Sequence, residues 1–445
     1  MEPADGGQSP RLLDDGVLVS RTRQVGDVSF RAFLAREERP RVAWTSPDGL
    51  EIAGGGRAAW LTASGSDRFE QLRSEAERLF DRVQHAGPPV TRPRLIGGFA
   101  FDTTRPTDDR WAGFPPAGFV LPTRQVSRWN GDTYLTVNRI EPEADPMAVE
   151  TDLDRFAASL ANLPTMGPSG GPPGIESTRR LTSRSEWAGM VNSALRRIRR
   201  GELTKVVLAT AMEVDLASPI DIPALLERLR RTYPDCYRIL IQPVHGQSFF
   251  GPSPERLVAK RGDTVETEAL AGSVGRGETP ERDDTLAASL RDSPKLQHEQ
   301  DLVVEAIRRR LKPLGPVTMH DRDVRRLATI QHLRTPISAT LDEPLHVLSL
   351  VERLHPTPAV GGVPPDQAME TIRRTESFDR GWYASPVGWF DADGNGEFAV
   401  AIRSGLAKGR RATLFAGNGI VADSDPDDEW DEIHPKYRPI LDELE

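Results

Sequence analysis

Between Val17 and about Asn162, apolar runs predict strands at Arg41–Thr45, Arg94–Phe101 and Thr133–Ile140. One longer segment, Asp67–Val83, has the spacing of a helix. The stretch from Pro164 to Gly174 is so rich in proline and glycine that neither a helix nor a central strand can form there. Beyond it, Trp187, Val191, Ala194, Leu195 and Ile198 form a helical stripe, with Ser185 as the predicted N-cap and Gly201 as the stop. A β-branched run, Leu203-Thr204-Lys205-Val206-Val207-Leu208-Ala209, follows at once. Further strands are predicted at Arg238–Gln242, Thr264–Leu270, Val387–Phe390, Phe398–Ser404 and Ala412–Ala416, with helices over about 281–312 and 366–374. The pattern is mixed α/β, with antiparallel character near the C-terminus. It divides into a disordered lead-in (1–15), an N-terminal subdomain (16–163), a connector (164–175) and a main region (176–445).

Composition narrows the function classes. The chain has 445 residues, 38% hydrophobic and 28% charged, enough for a packed core. A net charge of −9 leaves no basic footprint for nucleic acid. An anionic ligand therefore needs a local cationic site or a metal. A single cysteine, Cys236, excludes an internal disulfide and a cysteine-rich zinc site. No apolar run is long enough to span a membrane, and the N-terminus is polar, so a cytoplasmic protein is expected.

Lysine is scarce: six residues, against fifty-one arginines. Arginine serves as well for a solvated charge but does not release its proton, whereas a buried lysine can. Lys205, inside a strand, is therefore a candidate general base; a plain strand-edge lysine is the alternative. The run Thr267-Glu268-Ala269-Leu270-Ala271-Gly272-Ser273 is expected to end a strand in a small-residue turn. Gly272 and Ser273 there could receive a carboxylate. Glu268 is a candidate general acid if its setting is apolar, or else an ordinary strand-end glutamate. Glu299 lies four and eight residues before Val303 and Ile307, on an apolar helical stripe. A carboxylate there needs a metal or a cation, and one of the arginines would also serve.

Asp425-Pro426 opens a further helix, on which Glu429 and Glu432 share a face. With Glu299 they would make an all-oxygen site suited to Mg²⁺, although an acidic first turn is also ordinary dipole chemistry. Gly417-Asn418-Gly419 is expected as a glycine turn of nest size, with Arg403 as a carboxylate clamp. Three motifs are set aside. Asp391–Gly396 begins like a calcium loop but has Ile402 where a bidentate glutamate is required, so a hairpin turn is expected. Arg196–Arg200 reads as a solvated helix face, and Gly54-Gly55-Gly56 lacks a dinucleotide-binding context.

These residues together resemble the chorismate-utilising enzymes, the anthranilate synthase component I-like family, and most closely its isochorismate synthases. The matching blocks run in order from Lys205–Ala209 through Phe249-Phe250-Gly251-Pro252-Ser253-Pro254-Glu255-Arg256-Leu257, Thr267–Ser273 and His298-Glu299. They continue with His355-Pro356-Thr357-Pro358-Ala359-Val360-Gly361-Gly362, Arg380–Tyr383, Ala401–Arg403, Ala416–Ile420 and Glu429–Glu432. The first half is similar in general layout only. The resemblance implies an α/β (α+β) fold, a large two-subdomain β-sandwich with helices outside. It implies an isomerase that converts chorismate to isochorismate, for menaquinone or siderophore biosynthesis.

In that reading Lys205 activates water and Glu268 protonates the leaving hydroxyl. Glu299 and Glu432, with Glu429, hold Mg²⁺, and Gly272, Ser273, His355, Tyr383, Arg403, Gly417, Gly419 and Lys436 bind substrate. Ala271 stands where the aminodeoxychorismate branch has a nucleophilic lysine, which disfavours that branch. Salicylate synthase and anthranilate synthase component I remain as alternatives, and a non-catalytic paralogue as a different class. No glutaminase subunit is expected, and the oligomeric state is a monomer or a homodimer. Two positions depart from the family pattern. Gln300 replaces a histidine after the metal glutamate, and Pro435 interrupts the helix just before Lys436.

Overall fold

The computed structural model describes residues 16–104, 108–161, 170–244 and 246–445. The expected lead-in (1–15) and the first half of the connector (164–169) lie outside these residues. Among the described residues, thirteen strands form one sheet and ten form a second. The two segments of sequence do not separate into two sheets. Arg41–Thr45 pairs with Tyr237–Gln242 in the larger sheet, and Arg94–Phe99 pairs with Pro386–Asp391 in the smaller. The boundary near 164–175 is thus a feature of composition, not of strand pairing. Between the sheets, the Tyr237 hydroxyl donates to Glu397 Oε1 at 2.8 Å, inside an apolar core that fully buries Trp44, Trp111 and Trp382.

Local chemistry explains where the elements differ from expectation. The helix after the connector runs Arg184–Arg199 and is capped by Ser183 with Glu186, not by Ser185, because only the Ser183/Glu186 spacing makes a reciprocal capping box. The Asp67 helix ends at Phe80, and Val83 instead starts a strand parallel to Leu18–Arg21. The long helix expected at 281–312 is two, Pro280–Asp292 and Pro294–Leu311. Pro294 has no N–H to continue the first, and the Ser293 side chain caps the second. Pro386–Asp391 and Gly396–Val400 form the expected hairpin.

Three strand ends are corrected, and all three matter for the site. Thr264–Gly275 runs on past Ser273, with a bulge at Gly272 (φ +67°), so Gly272 and Ser273 lie within a strand rather than in a turn. Arg411–Ile420 likewise contains Gly417 and Gly419, paired with Ala209 and Val207 of the Lys205–Leu216 strand. The strand expected to reach Ser404 stops at Val400.

That early stop marks one of the places where the chain crosses between the sheets, and it meets a second such crossing beside the site. Residues 401–404 carry the chain from Gly396–Val400 in the smaller sheet to Gly405–Lys408 in the larger. Pro254-Glu255 carries it from Ser248–Ser253 to Arg256–Arg261 in the other direction. The crossings touch: the Val400 amide donates to the Glu255 carbonyl at 3.0 Å. A Cβ at Gly251 would stand 2.4 Å from the Arg403 carbonyl, so this approach requires glycine. No described helix is long and apolar enough to cross a membrane.

Candidate active site

A pocket opens beside these crossings. It is lined by Lys205, Gly272, Ser273, Glu299, Tyr383, Arg403, Gly417, Gly419, Glu429, Glu432 and Lys436, so all but two of the expected site residues converge. Lys205 is 1% exposed, and its Nζ donates to Glu299 Oε1 at 2.9 Å. Burial pushes the Glu299 carboxyl upward, but the charge and hydrogen bond of Lys205 outweigh it and hold the group below the usual carboxylate range. The partner of Glu299 is thus a lysine, not one of the arginines. Gly419 leaves room for the pair: a Cβ there would lie 2.9 Å from Lys205 Cε and 3.0 Å from Glu299 Oε1.

The Pro426–Ile433 helix is capped by Asp425 and presents Glu429 and Glu432 to the pocket. Burial, with the charge of Glu432 added, pushes Glu429 up to about 7. Asn418 Nδ2 donates to both carboxylates, at 2.7 Å to Glu432 Oε2. The helix breaks before Pro435, as the sequence implies, and a 3₁₀ turn over His434–Lys436 follows. That turn sends Lys436 into the pocket, where its Nζ donates to the Gly417 carbonyl at 3.1 Å and to Asn418 Oδ1. Burial lowers the Lys436 pKa, and the charge of Glu432 opposes the shift.

Arg403 is buried with φ +54°, and among the described residues its guanidinium has no hydrogen-bond or ion-pair partner. A desolvated, unpaired guanidinium in a pocket is a ready carboxylate receptor. Tyr383 stacks on Phe415 at 5.2 Å, and its hydroxyl lies beside Gly417.

Two expected residues lie elsewhere. His355 is off the pocket: its Nε2 faces the Phe101 carbonyl at 3.3 Å, and burial lowers its pKa to about 3. Glu268 is also off the pocket, and its setting is not apolar. Its Oε1 accepts from the Arg256 amide at 3.1 Å and from Arg325 at 2.9 Å, while its Oε2 accepts from Arg334 at 2.7 Å. Both carboxylate oxygens are engaged by these donors and neither lines the pocket, which does not suit a proton donor to the substrate.

Glu255 has the properties expected of Glu268. It lines the pocket, is 4% exposed, and is pushed up to about 8 by burial first and by the charge of Glu268 second. Lys205 and Arg403 oppose the shift. The matching block Phe249–Leu257 contained this residue, but its role depends on the crossing between sheets, which the sequence does not display.

His332 and Lys295 were also missed. His332 is buried and neutral, lowered to about 3 by burial, and its Nδ1 lies 3.1 Å from Ser273 Oγ and 3.3 Å from the Gly272 carbonyl. Lys295 stands at the mouth, 42% exposed, with its Nζ 3.7 Å from Glu429 Oε1. Three of the six lysines therefore line one pocket, a clustering that scarcity could have signalled.

The donor set fits a hard divalent cation. Glu299, Glu429 and Glu432 all line the pocket, and the crowding of Glu429 against Glu432 is a repulsion that such an ion relieves. Among the described residues no three carboxylates are already gathered to ligand distance, and lysines and Asn418 hold them meanwhile.

The family profile described as "Chorismate binding enzyme" matches residues 9–445. A salicylate biosynthesis isochorismate synthase from Pseudomonas aeruginosa is 37% identical over 98% of this chain and 91% of its own length. The solved menaquinone-specific isochorismate synthase from Escherichia coli superposes with a TM-score of 0.82 at 28% identity, covering 97% of this chain and 96% of that one. The anthranilate synthase component I of Streptococcus pneumoniae TIGR4 shares the fold, with a TM-score of 0.75 at 21% identity over 87% of this chain and 91% of that one.

Proposed function

The chain belongs to the chorismate-binding enzymes, and from that premise we propose that it is a magnesium-dependent isochorismate synthase. The observation that carries the reading is one pocket with a buried lysine, Lys205, and a buried carboxyl, Glu255, held up to about 8. Water-for-hydroxyl exchange on the chorismate ring needs both. Lys205, paired as an ammonium with Glu299 in the resting site, must act in this step as the free amine, taking a proton from water as the water oxygen bonds to C2. Glu255, protonated, gives its proton to the C4 hydroxyl, which leaves as water while the ring double bonds shift. One water enters and one leaves, so the net change is an isomerisation. Acid and base must hold opposite protonation states at one pH, which separate environments make achievable.

Glu299, Glu429 and Glu432 would hold Mg²⁺, and the bound ion supplies fixed positive charge for the ring carboxylate. The unpaired Arg403, with Tyr383 beside it, receives the enolpyruvyl carboxylate, and backbone groups around Gly272, Ser273, Gly417 and Gly419 complete the cradle. The named relatives serve salicylate and menaquinone synthesis, and we assign the product to siderophore or menaquinone biosynthesis. Incubation with chorismate and Mg²⁺, with and without ammonia, tests the assignment. Isochorismate alone is expected. Salicylate with pyruvate, or anthranilate in the presence of ammonia, would replace it with another activity of the family, and no turnover under any condition would leave a non-catalytic paralogue.

A further inference from the structure

We propose that Glu268 is a positioning residue that acts through Glu255, anchoring the crossing on which Glu255 sits and placing a fixed negative charge behind it. The inference rests on the assignment of Glu255 as the proton donor. Glu268 is 5% exposed and lies outside the pocket, so it does not meet the substrate. One of its oxygens accepts from the backbone amide of Arg256, the residue directly after Glu255, at 3.1 Å. That bond fixes the backbone at the point where the chain passes between sheets. The two guanidiniums that satisfy the rest of the carboxylate are themselves tethered. Arg325 donates to the Asp235 carbonyl at 2.8 Å, and Arg334 lies 3.5 Å from Asp323 Oδ2. Such bracing keeps a buried charge in place where it would otherwise be costly.

The titratable groups whose charge bears on Glu255 sit on four elements: Lys205 on its strand, Arg403 on the crossing at 401–404, Tyr383 in the turn before Pro386–Asp391, and Glu268 on the Thr264–Gly275 strand. Lys205 and Arg403 favour the ionised form of Glu255. Tyr383 is neutral, since burial raises it to about 12. Glu268 is the one carboxylate among them, and its charge favours the protonated form that a donor needs.

The test is the pH profile of kcat/KM for chorismate in Glu268→Gln, which keeps an oxygen for the Arg256 amide but removes the charge. The alkaline limb is expected to move to lower pH by roughly one unit, with the plateau below it largely retained. Arg334→Gln removes a counter-charge and should move the limb the opposite way. It also serves as the test if Glu268→Gln does not fold. An alkaline limb that stays in place, or that moves in the same direction in both variants, overturns the proposal. Glu255→Gln separates this failure from that of the underlying assignment. If Glu255→Gln still turns over, the acid role itself is wrong; if it is inactive while the limbs stay put, only the role of Glu268 falls.

Discussion

The Lys205 ammonium and the Glu299 carboxylate are joined by a 2.9 Å hydrogen bond inside the pocket. The pair links the proposed base to a proposed metal ligand. In its absence both charges would be buried and uncompensated. The carboxylate that steadies Lys205 is thus also one that a divalent cation would claim.

Lys205→Arg preserves the charge but removes the ability to lose a proton. Turnover of chorismate is expected to fall by at least about 10²- to 10³-fold, with the circular dichroism spectrum unchanged. Appreciable turnover in this variant excludes the general-base role.

The pH dependence has a definite sign. Glu255 is raised to about 8, chiefly by burial, and is required in its protonated form. Activity should therefore be present below that pH and lost as pH rises through about 8. A rate that keeps climbing through this window, measured as kcat/KM, would contradict the assignment.

Glu299→Gln and Glu432→Gln each remove one hard anionic ligand. Titration calorimetry of the free protein with Mg²⁺ should show affinity weakened by roughly 10-fold or more in each. Unchanged affinity in both would place the metal elsewhere.

Gly419→Ala puts a methyl group 2.9 Å from Lys205 Cε and 3.0 Å from Glu299 Oε1. The pair must shift, and a displacement of this order costs catalysis up to about 100-fold. The thermal midpoint should change little, since the side chains can give way. Wild-type kcat would mean that the geometry of the pair is not critical.

Much of this site was legible in the sequence because its chemistry is tied to short local blocks. Lys205 stood out as a rare lysine in a strand, Glu299 as a carboxylate on an apolar stripe, and Glu429 with Glu432 as neighbours on one helical face. The strand and helix periods were readable for the same reason. The choice between Glu268 and Glu255 was not. Both are buried glutamates, and they differ in what packs against them: two guanidiniums for Glu268, a pocket wall for Glu255. Those neighbours come from distant segments, Arg325 and Arg334 in one case and the paired crossings in the other. Gly417 and Gly419 were misread as a turn because their strand partner, the Lys205 segment, lies some two hundred residues earlier. His355 belonged to a matching block, yet its ring turns to Phe101 in the first half of the chain.

Turnover in H₂¹⁸O with Mg²⁺ tests water-for-hydroxyl exchange on the chorismate ring most directly. Mass spectrometry of the product should show isochorismate carrying one ¹⁸O, at the C2 hydroxyl. Unlabelled isochorismate would mean that the original hydroxyl migrates, and the account of Lys205 and Glu255 would be wrong.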